Sequence, residues 1–547
     1  GIRDLVRSRG LGDVYKRQDQ FRHEVCIIGG GVAGLRAAIE VFDQGREVAI
    51  ISKVQPLRSA TVGAQGGVAA CLNNRHDDDN WELHAQDTIK SGAGFCNQAA
   101  VEYLCQEGSL AMYELDRWGM PFDRTQEGAI AQRPYGGHSK KRACYAGDKI
   151  GQGLLYTLYG EVIKRGIKIY NEFYVLKLCA KANVCQGFVA LDLNTGKLAV
   201  FSAGSTILAT GGLGQLFAIT SNPYASTGDG LGLAQDLGVM LKDMEFVQFH
   251  PTGLYPRGVL VSEACRAEGG YLLNGQGERF MPKYDERVEL ATRDIVARAI
   301  EQEIIEGRGY QGQACVALDL RHLAPGEIQK KLPFMVEIAR DLAHLDLQNE
   351  LLPVAPTCHF LMGGIPVSLD GEVYLKADQT GAKVGNLFAV GEVACLSVHG
   401  ANRLGCNSLL EGLVYGKRVG RHVGSLTTEP VEPVKTEPEL SHLDIRSNSG
   451  ARNHYQIRED LQNGMTHNCG VFRKKHNLER QLERVDALSI EMMNCAWSDQ
   501  ATPRNLAGWY ETNHLIKVAR TVLSSALNRQ QSAGSHYRVD QEKIDEA

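Results

Sequence analysis

At 547 residues the chain is too long for one hydrophobic core, and at about 150 residues per domain it implies two to four domains. A net charge of −5 with no basic block argues against a nucleic-acid partner. No run of 18 or more apolar residues is present, so no segment has the length and apolarity of a membrane-spanning helix.

Residues 1–18 (GIRDLVRSRGLGDVYKRQ) are charged and lack a signal-peptide apolar stretch, and they read as a non-native scar outside the fold. From Glu24 an apolar run, Val25 to Ile28, predicts a buried parallel strand. It leads into Gly29-x-Gly31-x-x-Gly34 and a helix with apolar residues at Leu35, Ala38, Ile39 and Phe42, and then a second strand over 46–52. That βαβ order is a dinucleotide cradle: Gly29 permits the tight turn, Gly31 lets backbone approach a pyrophosphate, and Gly34 lets helix and strand pack closely. The helix N-terminus supplies N–H donors to the phosphates. The second strand ends in Ser52-Lys53, where such units normally carry an acid for the ribose.

Farther along, STILATGG (205–212) predicts a strand, and ASTGDG (225–230) places Asp229 at a helix start. LFAVGEVA (387–394) predicts a further buried strand. Residues 427–450 are rich in Pro, Glu, Thr and Ser and read as a linker or extended strap. Helical patterns follow over 455–465, 478–493 and 513–527. The 60 glycines, about 11% of the chain, suit close backbone approaches to a ligand. The 14 cysteines contain no CxxC pair, which argues against a zinc or iron–sulfur site in this chain.

Six segments set polar residues among glycines: RSATVGAQGG (58–67), FVQFHPTG (246–253), LVSEACRAEGG (260–270), ATRDIVARAI (291–300), TCHFLMGGI (357–365) and SVHGANRLGCNSLLEG (397–412). In this order they resemble the succinate dehydrogenase/fumarate reductase flavoprotein family over roughly residues 24–425. SALNRQQSAGSHYRVD (525–540) resembles it more loosely.

The resemblance implies an α/β fold: a Rossmann-like FAD-binding domain in two segments (19–240 and 356–425), an inserted α+β capping domain (241–355), a linker (426–450) and a helical C-terminal domain (451–547). It implies an FAD site drawing on Gly29, Gly31, Gly34, Ser52, Lys53, Ser59, Thr61, Gln65, Gly66, Gly67, Asp229, Glu392, Ser408 and Leu409. One carboxylate of a dicarboxylate maps to His250 and Ser262 with Glu263 nearby, the other to His359 and Arg403. The proton donor maps to Arg293, served by a relay through Glu263 and Arg266; these last two meet only if their turn is helical.

The family's flavin-linking histidine is replaced by Ala60, which implies noncovalent FAD and a bias toward fumarate reduction. Electrons would pass through an iron–sulfur subunit to a membrane anchor and quinone, with this chain peripheral on the cytoplasmic face of the inner membrane. The alternative reading is L-aspartate oxidase, a relative that also lacks the linking histidine. Met362, where that oxidase tends to have cysteine, and the wording of 394–407 favour the dicarboxylate enzyme. Cys265 beside Arg266 is a candidate for a reactive thiol or simply a small residue, and His138 for a ligand contact or a packing residue.

Overall fold

The computed structural model describes residues 19–74, 78–324, 326–426, 432–434, 450–496 and 502–540. Residues 1–18 and most of the expected linker lie outside the described residues; within that linker, Val434 is buried and donates its N–H to Ser202 Oγ (3.0 Å).

Strand β1 (Asp19–Ile28) runs into helix α1 (Val32–Asp43) and strand β2 (Val48–Ser52). β1 begins six residues before the predicted apolar run, because β6 (Leu198–Leu208) pairs with it in parallel along its whole length, Asp19 opposite Ala199 through Ile28 opposite Leu208. Between them in sequence come β3 (Lys168–Asn171), parallel to β2, and the antiparallel pair β4 (Phe173–Lys181) and β5 (Val184–Asp192). β6 ends at Leu208; Ala209 still donates its N–H to Ile28 O (2.8 Å), but the predicted strand residues 209–212 are not part of the strand. Helix α2 (Asp229–Asp236) then starts with Asp229 in its first turn.

A second sheet of five strands follows: β7 (Val247–Leu254), β8 (Val259–Leu260), β9 (Tyr271–Leu273), β10 (Val316–Asp319) and β11 (Leu352–Leu361). Its order is β8-β7-β11-β10-β9, antiparallel throughout. Helix α3 (Arg293–Ile305) lies between β9 and β10 in sequence, and the unit has a hydrophobic core of its own. The chain then returns to the first sheet through β12 (Glu372–Tyr374) and β13 (Lys383–Ala389). β6 shares its second edge: residues 198–202 pair with β5, and 206–208 with β13.

Helix α4 (Asn407–Ser425) lies along α1. With the sheet on its other side, α1 is buried from Ala33 to Val41, whereas Phe42, read from the sequence as part of its apolar stripe, is 40% exposed. Helices α5 (His454–Asn468), α6 (Lys475–Met493) and α7 (Pro503–Asn528) close the structure, and their apolar faces join the core of the first sheet. α7 starts ten residues before the predicted pattern because Thr502 caps it and Pro503 fits its first turn.

Gly34 makes the tightest contact of the cradle: a Cβ there would lie 2.0 Å from Gly29 O, against backbone that has no freedom to rotate away. Gly34→Ala is expected to cost about 3 kcal/mol or more of stability through overpacking. Thermal unfolding of the purified variant checks this, and a melting temperature equal to the parent's would contradict it.

Candidate active site

A cavity of about 510 Å³ opens where the two sheets meet, within the size range of small-molecule sites. All the cofactor residues expected from the sequence line it except Gly34, and all the substrate-side residues except Arg266.

At the cradle, Gly29 sits at φ +120° with its carbon against Ala209, so a side chain there would strike Ala209 O at 2.1 Å. Gly31 is the N-cap of α1 and has no side chain to cover the helix end. Thr61 Oγ1 accepts the Val32 N–H (3.1 Å), joining the 58–67 segment to the first turn of α1. That segment is held from below by Arg133, whose guanidinium donates to Gly66 O (2.7 Å) and Gly147 O (2.9 Å). Gly66 leaves room for Tyr135, whose hydroxyl would meet a Cβ at 2.1 Å.

Ser59 Oγ, Gln65 Oε1 and Thr210 Oγ1 are buried beside the cavity with no protein partner among the described residues. Buried polar atoms are nearly always satisfied, so such a row suits a polar ligand. The bare helix end, the side-chain-free cradle and these polar atoms together fit FAD.

At the C-terminal end of β2, Lys53 Nζ donates to Thr227 Oγ1 (2.7 Å), Asp229 Oδ2 (2.7 Å) and Glu511 Oε1 (2.9 Å). Ser52 Oγ donates to Val54 O (2.5 Å). Glu392 accepts the Leu361 N–H (3.0 Å), and burial pushes its carboxyl up to about 7. Ser408, in the first turn of α4, accepts from Arg403 Nη1 (2.9 Å), and Leu409 lines the cavity beside it.

The opposite end is a desolvated cluster of cations. Glu263 N-caps a short helix, Ala264–Ala267, so Glu263 and Arg266 do meet, with Oε2 and Nη2 3.6 Å apart. Glu263 Oε2 also accepts from Arg293 Nε (2.9 Å), and Oε1 accepts the Gly136 N–H (2.6 Å). Burial alone would raise the Glu263 carboxyl, but Arg293, Arg266 and that N–H hold it below the usual carboxylate range. Arg293 Nη1 donates to Gln248 Oε1 (3.1 Å), and Nη2 makes no hydrogen bond within the described residues. Arg266 gives Nη1 to Glu289 O and leaves Nε and Nη2 buried without hydrogen-bond partners among the described residues.

Arg403 stacks its guanidinium 4.6 Å from the Phe360 ring and leaves Nε buried and without a partner among the described residues. Burial, reinforced by repulsion from Arg293, pushes Arg403 down to about 9. His250 and His359 stand with ring centroids 5.2 Å apart. His250 Nδ1 lies among the backbone groups of Thr252 (3.1 and 3.2 Å), and His359 Nδ1 meets Ser221 Oγ (2.8 Å). In each ring Nε2 is the nitrogen without a protein partner among the described residues. Burial, with Arg293 nearby, holds both imidazoles well below their ordinary range, so both are neutral at pH 7. Ser262 Oγ accepts the Ala264 N–H (3.2 Å) at the cavity wall.

Several residues that shape this end were not singled out in the sequence. Gln248 bridges Arg293 to the 402–403 segment, donating to the Arg403 backbone O (2.8 Å) and the Asn402 side-chain Oδ1 (2.8 Å). The period of two along β7, which sets Gln248 beside His250, was the available signal. Ser221, Asn222 and Arg133 hold the site from distant parts of the chain and carry no such signal. Cys265 is fully buried, and burial pushes its thiol up to about 12, the opposite of an activated thiolate. His138 lies outside the cavity wall, bonded to Gly405 O (2.9 Å).

Comparison with known proteins agrees with this fold. Residues 24–409 match the family model for the FAD binding domain, and 458–547 match the fumarate reductase flavoprotein C-terminal model. The succinate dehydrogenase flavoprotein subunit of Coxiella burnetii is 38% identical, covering 96% of this chain and 93% of that protein. The fumarate reductase flavoprotein subunit of Mycobacterium tuberculosis is 37% identical, covering 95% and 92%. A mutant form of E. coli quinol fumarate reductase superposes with a TM-score of 0.88 at 32% identity, covering 96% of this chain and 94% of that one. The chain therefore belongs to the succinate dehydrogenase/fumarate reductase flavoprotein family.

Proposed function

We propose that this chain interconverts succinate and fumarate on a noncovalently held FAD, with Arg293 as proton donor and acceptor. The observation that carries this reading is charge. Arg266, Arg293 and Arg403 surround one ionised carboxylate, Glu263, while both histidines are neutral. The substrate end thus holds more guanidinium than carboxylate charge in a desolvated pocket, matching a dicarboxylate. Arg403 Nε is a buried donor without a protein partner among the described residues, and a carboxylate satisfies such a group. With His250 Nδ1 accepting the Thr252 N–H and His359 Nδ1 the Ser221 hydroxyl, each Nε2 is a further donor.

Bound in the cradle and against the 58–67 segment, FAD supplies the hydride donor or acceptor. Arg403 and His359 hold one carboxylate and His250 with Ser262 the other, fixing the carbon–carbon bond in place. Hydride addition at one carbon builds negative charge on the other. That carbon is basic enough to take a proton from a guanidinium, and Arg293 Nη2 is the nitrogen left free to give it. Glu263, 2.9 Å from Arg293 Nε and 3.6 Å from Arg266 Nη2, returns the proton. Electrons enter or leave through an iron–sulfur subunit, which links this chain to a membrane anchor and quinone at the cytoplasmic face. Among the described residues no helix is long and apolar enough to cross a membrane.

Arg293→Gln is expected to lower kcat for fumarate reduction by about 10³-fold or more while FAD content stays at the parent level. Loss of flavin along with activity would instead mark Arg293 as structural. Steady-state turnover of fumarate, with L-aspartate as the control substrate, separates this reading from the oxidase. Because Arg403 titrates at about 9, kcat/KM for fumarate should be level below that pH and fall about tenfold per unit above it, as the cation that binds a carboxylate is lost. A profile level through pH 10 would contradict this.

The Ala60 methyl lines the cavity and offers no nucleophile for a flavin bond. Acid precipitation should therefore release all flavin into the supernatant, and fumarate reduction should outpace succinate oxidation. Flavin retained on the precipitated polypeptide would refute the first expectation, and a faster succinate-to-quinone rate the second.

A further inference from the structure

The end of β2 is unusual for a nucleotide-binding unit. A carboxylate there normally accepts hydrogen bonds from the adenosine ribose diol. Lys53 occupies that place, and an ammonium has three donors and no lone pair. All three donors are spent, on Thr227, Asp229 and Glu511. The carboxylate of this cluster that faces the cavity is Asp229, carried by a different segment; it also accepts from Tyr174 OH (3.0 Å) at its second oxygen.

Glu511 does not line the cavity. It belongs to α7, and its other oxygen accepts from Arg458 Nη2 on α5 (3.1 Å). Lys53, Asp229, Glu511 and Arg458 form an alternating chain of two cations and two carboxylates, each side chain less than one-fifth exposed. Lysine has a flexible four-carbon stem. Tied only to Asp229, the ammonium could swing toward the cavity and take the carboxylate with it. Tied also to Glu511, it is drawn back against the helical unit, leaving Asp229 oriented to the cavity.

We propose that Glu511 is a positioning residue for FAD: acting through Lys53, it holds the Asp229 carboxylate in place for the ribose diol of the adenosine half. Two of the C-terminal helices, α5 and α7, thereby support from behind a cofactor site whose walls come from the first 412 residues. This rests on the noncovalent FAD reading above.

The test is titration of flavin-free protein with FAD, followed by flavin fluorescence, for the parent, E511Q, K53M and the double variant. E511Q is expected to weaken FAD binding about tenfold, and ADP, which carries only the adenosine half, should lose affinity by the same factor. Because Glu511 acts through Lys53, the double variant should bind FAD no more weakly than K53M alone. A dissociation constant for E511Q within twofold of the parent overturns the proposal, and so do losses that multiply in the double variant or an ADP affinity that is unchanged. If E511Q does not fold, E511D, which withdraws the charge by one methylene, carries the same expectation at a smaller factor, and an unchanged constant for it is equally fatal. Should the parent itself take up no FAD, the flavin reading fails; should the parent and E511Q bind alike, only this inference fails.

Discussion

The contact between α1 and α4 organises the rest of the molecule. Gly412, Gly416, Gly420 and Gly424 recur every fourth residue along one face of α4, and each presses against α1 or the residue just beyond it. A Cβ at these positions would lie 2.7 Å from Val32, 2.9 Å from Ala33 O, 2.6 Å from Ala37 O and 2.7 Å from Gln44. Backbones can approach this closely only without side chains between them. On the flank, Arg421 pairs with Glu40 (3.0 Å) and Arg36 with Glu114 (3.0 Å). The consequence is positional. The N-terminus of α1 carries the phosphate cradle, and the N-terminus of α4 carries Ser408 just after the Arg403 loop. The stripe of glycines brings both ends to one cavity from segments almost 400 residues apart.

The substrate end runs against the rules that stabilise interiors. Three guanidinium groups are buried with one carboxylate, and removing charges from water is costly unless each is paired and hydrogen-bonded. Here the pairing is incomplete: Arg266 and Arg403 keep buried N–H groups without protein acceptors among the described residues. The aromatic face of Phe360 and the backbone acceptor Glu289 O compensate only in part. Such a deficit is the mark of a functional site, where local rules of stability are broken. The same desolvation keeps both histidines neutral, so they add no further positive charge.

Much of the framework was legible along the chain. The strand–glycine–helix order of 25–43 fell where it was read, because a buried strand, a Gly-rich turn and a helix start each leave a local mark. The three C-terminal helices were found by their periodicity, although the start of α7 was missed where Thr502 and Pro503 signalled it. Phe42 was misjudged because it lies in the last turn of α1, past the buried stretch from Ala33 to Val41. β6 was read too long at one end and too short at the other, since its limits are set by its partners β1, β5 and β13 rather than by its own residues.

By itself the sequence determined the components: a cradle of glycines, a set of arginines and histidines suited to a dicarboxylate, and a methyl at position 60 in place of a nucleophile. Only the tertiary structure decided their states. It ties Arg293 to Glu263 and Gln248, which lie 30 and 45 positions away. It gives His359 its hydrogen-bond partner across 138 positions, and it commits Lys53 to a carboxylate 458 positions away. Whether an arginine is charged, a histidine neutral or a lysine free depends on what surrounds it after water is removed. That neighbourhood is made by contacts between distant segments, which local pattern does not record.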